Sequence, residues 1–294
     1  ALKDIPVIVI SAVDDVESAA RCIQEGADDY LTKPFNPVFL RARVSSLLQR
    51  KFLRESEAFH LEHIRSLLQV VCHDIQNPLT IIKGWSHVYQ LGDLEKADLD
   101  EGMEQIGRAS DIITEIVDHV KNMQGLDTGK KTLSLQGTSF KDALQTPLFV
   151  FKDKIEKKEL ELKIDNLLAE GQKVLVEEVS FRNEVLGNLI SNAIKFSKKG
   201  GSLTIKAKGQ DDRAHITISD NGIGMPDEIQ EGLFVPDKKT NRLGTEGESG
   251  TGLGMLLIKS YIEKYGGTIS VESRDIEKFP DNHGTTVHMY LKLA

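Results

Sequence analysis

The chain has 294 residues, with 37 basic and 45 acidic side chains, a formal net charge of −8 at pH 7 and 39% hydrophobic residues. That is a globular composition, long enough for two or three domains with a sizeable core, and its acidic balance argues against nucleic acid as a main partner. No stretch approaches the roughly 18 apolar residues of a membrane span and no charged-then-apolar leader opens the sequence; the only cysteines, Cys22 and Cys72, exclude a disulfide scaffold and a four-cysteine zinc site and suit a reducing, cytoplasmic setting.

Residues 5–10, Ile-Pro-Val-Ile-Val-Ile, are a short β-branched apolar run that predicts a strand buried on both faces. Residues 14–25 predict an amphipathic helix ending at Gly26, and residues 28–32 a second strand closed by Lys33-Pro34. Two strands are too few for a stable parallel sheet, so the rest of this α/β unit is expected upstream of Ala1 or replaced by another contact. Helix formers then run without Gly or Pro from residue 38 to 77, and Arg41, Arg43, Arg50, Lys51 and Arg54 read as a solvated face of that helix. Within it Leu61, Ile64, Leu68, Val71 and Ile75 recur at 3, 4, 3, 4, an a/d seam. After a polar connection around Gly92-Asp93, Ile106, Ala109, Ile113, Ile116, Val120 and Met123 repeat the seam. Ile81, Ile82, Ile112 and Val117 add more apolar surface than one hairpin covers, which predicts a dimeric four-helix bundle.

Residues 125–137 read as a polar linker. Beyond it the patterns predict strands at 132–135, 159–164, 202–208, 214–220, 268–273 and 285–292, and helices at 140–157, 178–197 and 252–265. This is an α+β sandwich, one mixed sheet covered by helices on one face.

Four constellations carry chemistry. In Cys72-His73-Asp74-Ile75-Gln76-Asn77-Pro78, His73 falls at heptad position f, facing water beside Asp74, and Pro78 strains the helix just after it. A lone histidine there is ordinary; a neutral imidazole sharpened by an adjacent carboxylate is also a nucleophile near pH 7. On the 178–197 helix, Asn188, Asn192 and Lys195 at i, i+4, i+7 form one polar stripe among apolar neighbours. It reads as a wet structural stripe or as a seat for a Mg²⁺–triphosphate. Asp220-Asn221-Gly222-Ile223-Gly224-Met225 follows a strand and reads as a simple turn or as a carboxylate placed for an exocyclic amine, with glycines that let backbone approach closely. Five glycines between 244 and 254 precede a helix, with Lys238, Lys239 and Arg242 upstream. That segment reads as a loose surface loop or as a mobile phosphate-binding lid. It is neither a Walker loop nor a Rossmann fingerprint.

Taken in order, His-Asp-Ile-Gln-Asn-Pro, Asn-Leu-Ile-Ser-Asn-Ala-Ile-Lys-Phe-Ser, Asp-Asn-Gly-Ile-Gly-Met, Leu-Phe-Val-Pro and Gly-Thr-Gly-Leu-Gly-Met resemble the H, N, G1, F and G2 boxes of sensor histidine kinases of two-component systems. The resemblance covers about residues 57–294 and implies a dimerisation and histidine-phosphotransfer bundle (61–127) followed by a Bergerat-type ATP-binding domain (128–294), reached through a helical linker (41–60). It implies His73 as phosphoacceptor, Asp74 as base and Asn77 as a water-orienting residue for phosphatase activity. It implies ATP and Mg²⁺ as cofactors: Asn192 on the metal, Asn188 and Lys195 on the phosphates, Asp220 on the adenine amine with Gly222 and Gly224, and a lid from Phe234 to Gly250, Thr251, Gly252, Leu253 and Gly254. Asp after the histidine, where Glu is commoner, and Asn-Pro for the frequent Thr-Pro are departures that shorten the base and alter the box.

Residues 1–40 resemble the C-terminal part of a flavodoxin-like receiver domain, with Ser11 and Lys33-Pro34 at the positions of the family's hydroxyl and lysine and the phosphoacceptor aspartate expected upstream. The implied activity is autophosphorylation at His73 and transfer to a response-regulator receiver, with a homodimer and a receiver domain as partners and a hinge near 125–129. At about 1.5 Å per residue, a helix over 37–77 would be near 60 Å long and could carry a receiver signal into the bundle. A nucleotide-holding pseudokinase or scaffold, a phosphatase-dominant regulator and another ATPase of the superfamily, such as a chaperone or topoisomerase subunit, are the alternatives; an exposed His-Asp-x-x-Asn-Pro on a bundle disfavours the last.

Overall fold

A computed structural model of the chain describes residues 5–12, 16–92, 95–127, 133–235, 238, 240, 242–248 and 250–294. The chain divides into two compact units, Ala1–Leu67 and Leu68–Ala294.

In the first unit β1 (Ile8–Ser11), α1 (Val16–Gln24) and β2 (Asp29–Thr32) follow in the expected order. The strands pair in parallel, Ile8 opposite Asp29 through Ser11 opposite Thr32. The Lys33 N–H donates to the Ser11 carbonyl at 2.8 Å, so Ser11 and Lys33 meet at one end of the pair. The first strand is not buried on both faces. Ile5, Val7 and Ile10 remain 51%, 49% and 38% exposed, because two strands have too little surface to sandwich them. Arg43, expected on a solvated face, instead donates from Nη1 to both carboxylate oxygens of Asp29 at 2.6 and 2.8 Å. That hydrogen bond holds the Asp29 carboxyl below the usual carboxylate range.

α2 (Pro37–Leu91) is one helix of 55 residues. It runs on through the strained position at Pro78 to Leu91. Pro78 removes a hydrogen bond and presses on the carbonyl of Asp74. Its ring is buried, however, and packing keeps the helix going, with Thr80 Oγ1 donating to the Gln76 carbonyl at 2.8 Å.

In the second unit α3 (Lys96–Asp127) folds back onto the end of α2 after Gly92, whose φ of 73° turns the chain. Tyr89 Oη donates to the Leu99 carbonyl at 2.9 Å. Trp85 and Tyr89 close on Gly102, where a Cβ would lie 2.5 Å from Tyr89 Oη and 2.6 Å from the Trp85 ring; only glycine allows that approach. On α3 the seam is buried at Ala109, Ile116 and Met123, whereas Leu61, Ile64 and Leu68 on α2 stay more than half exposed. α3 continues through Gly125, so the expected linker starts later; residues 128–132 of it, like Asp93, lie outside the described residues.

The rest of the unit is built on a five-stranded sheet in the order β4 (Glu161–Leu167), β6 (Ser202–Gln210), β7 (Arg213–Asp220), β9 (Gly284–Lys292) and β8 (Thr268–Arg274). The β4–β6 pair is parallel and the others antiparallel. Strict alternation sends Leu203, Ile205, Ala214, Ile216 and Ile218 into the core at 2% exposure or less. A separate ribbon pairs β3 (Gln136–Thr138) with β5 (Val174–Val176); three-residue strands carry too short a pattern to read, and the strand expected at 132–135 is displaced into it. The 140–157 helix breaks at Phe151 into α4 (Phe140–Val150) and α5 (Lys152–Lys157). The 178–197 helix is α6 (Glu178–Ser180), a π-helical turn (Phe181–Leu186) and α7 (Gly187–Phe196). α8 (Asp227–Gly232) is an addition, and α9 (Gly254–Lys264) is the helix after the glycine-rich segment. α7 packs on β7 and α9 on β8.

Candidate functional site

The alternation that buries Ile216 and Ile218 carries β7 to its end at Asp220, beside α7. There a cavity of about 310 Å³ opens, lined by α7, Asp220 and segments between residues 240 and 255. Asn188, Asn192, Lys195, Asp220, Gly250, Thr251, Gly252 and Gly254 all line it, so the i, i+4, i+7 stripe and the two glycine motifs converge. Gly222, Gly224, Phe234 and Leu253 do not line it. Gly222 and Gly224 serve close packing: a Cβ on the first would run into the Phe196 carbonyl and on the second into the Arg274 carbonyl. Phe234 lies beneath the Lys259 ammonium, 5.5 Å from the ring centroid, and Leu253 is buried. Lys238 points toward Glu231 at 4.0 Å, Arg242 lines the cavity, and Lys239 and Pro236 lie outside the described residues.

The cavity holds one buried carboxylate and two cations. Asp220 accepts from the Gly222 N–H at 2.9 Å. Burial pushes its carboxyl up to about 6, with hydrogen bonds from Gly222 and Thr285 pulling the other way. It is deep in the protein, yet water reaches it through the cavity. Asn188 Nδ2 donates to the Glu184 carbonyl at 2.7 Å, a bond the π turn makes accessible and one that uses the amide's donor end. Lys195 Nζ and the Arg242 guanidinium sit 5.0 and 4.5 Å from the centroid of Phe196, and the Arg242 charge acts on Asp220. Burial lowers the Lys195 ammonium, against the pull of Glu115 and Glu248. Oxygen-bearing amides, two cations and the glycine-rich entry to α9 suit a Mg²⁺–polyphosphate, and a buried carboxylate suits an amine donor.

Two lining residues lie on α3, where no motif marked them. Glu115 reaches the cavity from a largely exposed position; desolvation there raises its carboxyl above the ordinary range, and Lys195 opposes the shift. His119, 5% exposed, holds Thr251 through Nδ1···Oγ1 at 3.2 Å, and burial lowers its pKa. Asn122 Nδ2 donates to Glu184 Oε1 at 3.3 Å. His119 could have been found: it falls between Ile116 and Met123 on the buried stripe, where a polar group needs a partner.

His73, Asp74 and Asn77 lie on α2 and are not among the cavity residues. His73 Nδ1 and Asp74 Oδ1 are 3.0 Å apart, with the imidazole 43% and the carboxylate 8% exposed. A carboxylate that accepts here would take the Nδ1 proton of the imidazole and leave Nε2 with its lone pair. Asn77 is exposed one turn on, and Pro78 behind it is buried.

Residues 179–294 match the family of histidine kinase-, DNA gyrase B- and HSP90-like ATPases, and residues 1–45 the response regulator receiver domain. Over 229 residues the chain is 30% identical to sensor histidine kinase GacS of Pseudomonas protegens, covering 75% of this chain and 24% of that protein. It is 27% identical over 209 residues to circadian input-output histidine kinase CikA of Synechococcus elongatus, covering 70% and 28% respectively. The chain thus spans about a quarter of the length of these curated relatives. Histidine kinase ThkA, solved in complex with response regulator protein TrrA, shares the fold with a TM-score of 0.60 at 21% identity, covering 82% of this chain and 66% of that one. Among the described residues no helix is long and apolar enough to cross a membrane. The chain is a relative of the sensor histidine kinases that carries a receiver-domain segment at its N-terminal end and a histidine kinase-, DNA gyrase B- and HSP90-like ATPase domain at its C-terminal end.

Proposed function

We propose that this chain is an ATP-dependent protein-histidine kinase that phosphorylates its own His73 and passes the phosphoryl group to an aspartate of a response-regulator receiver. The observation that carries the reading is the His73–Asp74 pair, an imidazole held by a buried carboxylate at 3.0 Å on a helix face open to solvent. In the cavity, Asp220 would accept from the adenine amine, and Lys195 and Arg242 would meet the phosphates. Asn192 would offer its amide oxygen to Mg²⁺ beside Asn188. When bound, Mg²⁺ would add positive charge against the phosphate oxygens. Nε2 of His73 attacks the γ-phosphorus in line; the bond to the ADP oxygen breaks and its electron pair leaves with ADP. Asp74 stabilises the imidazolium that forms and takes up the Nδ1 proton. The reverse duty, phosphatase activity toward the regulator, would rest on Asn77 orienting water.

The uncovered apolar seam at Leu61, Ile64 and Leu68 supports a homodimer, with residues 61–127 as its bundle and 128–294 as the ATP-binding domain. One observation favours a second, regulatory state. Glu115 and His119 of α3 line the same cavity as Lys195 and Thr251, so this arrangement holds the ATPase domain against its own bundle helix. Release of that contact would free the domain to reach a histidine. Incubating the protein with Mg²⁺ and labelled ATP tests the reading: wild type is expected to gain acid-labile, base-stable label and His73→Gln none. Label persisting in the variant, or absent from wild type, overturns it.

A further inference from the structure

The glycine-rich segment 244–254 has two halves with different anchoring. Gly250, Thr251, Gly252 and Gly254 line the cavity, as does Glu248 at the border between the halves. Residues 244–248 form a tight loop bonded to the C-terminal end of α7. The Gly244 N–H donates to the Glu248 carbonyl at 2.7 Å and the Thr245 N–H to the Lys195 carbonyl at 3.0 Å. Thr245 Oγ1 donates to the Ser197 carbonyl at 2.7 Å. A Cβ at Gly244 would collide with the Glu248 carboxylate and lie 2.6 Å from Lys195 Cγ, so this close seat demands glycine.

Beneath the loop lies a buried cation outside the motifs. Lys158 follows α5, and its side chain is 4% exposed. Its Nζ lies 3.0 Å from the Ile194 carbonyl, 3.2 Å from that of Lys195 and 3.4 Å from that of Ser197. Thr245 Oγ1 and Glu248 Oε1 are each 2.8 Å away. The first three acceptors are carbonyls at the end of α7, where the helix dipole is negative and the last turn lacks intrahelical donors. The last two belong to the loop. Burial works against the Glu248 carboxylate, but the Lys158 hydrogen bond and backbone donors outweigh it and lower its pKa. A buried ammonium is tolerated only with such partners, so parting the loop from α7 would cost it the Thr245 hydroxyl and its one carboxylate, leaving only the α7 carbonyls.

We propose that Lys158 is a positioning residue for polyphosphate binding, pinning residues 244–248 to the end of α7 so that Lys195 and Arg242 are held at the cavity. The loop is thereby a fixed anchor at the first end of the glycine-rich segment. This rests on the nucleotide reading above and deepens it. Lys158 touches no nucleotide; it acts through the helix end that carries Lys195.

The test measures dissociation constants of the whole chain for adenosine alone and for a fluorescent ATP analogue with Mg²⁺, in wild type, Lys158→Met, Lys158→Arg and Glu248→Gln. Lys158→Met is expected to weaken the triphosphate at least tenfold and adenosine less than twofold, since Asp220 is untouched, with faster hydrogen exchange at the Gly244 and Thr245 amides. Glu248→Gln, which removes the loop's charged acceptor for Lys158, is expected to weaken the triphosphate three- to tenfold relative to adenosine even if Lys158→Met does not fold; because Glu248 also lines the cavity and pulls on Lys195, a strengthened triphosphate would count against the clamp. Lys158→Arg is expected to recover part of the loss. Equal weakening of both ligands, or wild-type binding of both in Glu248→Gln, would overturn the clamp and leave a merely structural lysine. Wild type that binds neither ligand would instead overturn the nucleotide reading itself.

Discussion

The sheet-based part of the second unit and the helical hairpin beside it solve the packing problem differently. Ile205, Ile216, Ile258, Ile262 and Met289 are all fully buried within the sheet and its helices. The hairpin buries Ala109, Ile116 and Met123 but leaves Leu68, Ile81, Met103 and Val117 between 38% and 64% exposed. The candidate nucleotide cavity sits on the element that completes its own core, and the candidate phosphoacceptor on the one that does not. A reaction that brings two sites together needs this asymmetry: a rigid holder of nucleotide and a helix pair whose packing can change.

The sharpest way to break the contrast is to carve both cores. Ile216→Ala is expected to destabilise the sheet region by about 2–5 kcal/mol, because it empties a site with no room to relax. Thermal or denaturant unfolding of the two parts would register it; a loss below about 1 kcal/mol would mean the core is looser than its burial implies.

Next in size is Asp220. A carboxyl raised to about 6 by burial disfavours the folded apo protein above that pH. The penalty, on the order of 3 kcal/mol, is relieved as pH falls through 6 toward the ordinary Asp value near 4. Nucleotide affinity should run the opposite way, because the amine donor prefers the ionised form, and should fall below pH 6. Asp220→Asn is expected to weaken nucleotide roughly 10- to 100-fold and to remove this group's pH dependence from unfolding. Calorimetric titration and melts at pH 5 and 7 check both signs; parallel trends would contradict the assignment.

Smaller effects test the border between the two parts. Glu115→Gln removes a negative charge facing Lys195 and should strengthen triphosphate binding by about two- to fivefold, as expected for partly screened charges. No change would separate α3 from the cavity electrostatics. Leu68→Ala should cost under about 0.5 kcal/mol within one chain, since its side chain is 53% exposed. Sedimentation should nevertheless show a weakened dimer; an unchanged oligomer would take Leu68 out of the interface.

Much of this was legible in sequence where a pattern repeats. The alternation of β6 and β7, the 3-4 seam of α3 and the stripe of Asn188, Asn192 and Lys195 follow from local periodicity; that Asp220 joins the stripe was implied only by the family resemblance. What was not legible is tertiary. Arg43 looked solvated because its partner, Asp29, lies on a strand 14 residues away. Pro78 marked a point of strain in α2, but not the buried seat that its ring finds. The π turn before α7 widens a helix without altering its apolar pattern. Glycines 244 and 247 signalled mobility, because composition reports the freedom of a backbone and not the bonds it goes on to make. Lys158 had no signal at all; it follows an ordinary charged run, and only the fold shows that it ends under α7.

The most direct test of the central claim is to locate the phosphate itself. After incubation with Mg²⁺ and ATP at neutral pH, peptide mass spectrometry under conditions that spare phosphohistidine should find one phosphate on the peptide containing His73, none there in His73→Gln, and a reduced share in Asp220→Asn at low ATP. A phosphate on any other side chain, or an unmodified His73 peptide from protein that demonstrably binds nucleotide, would contradict the account.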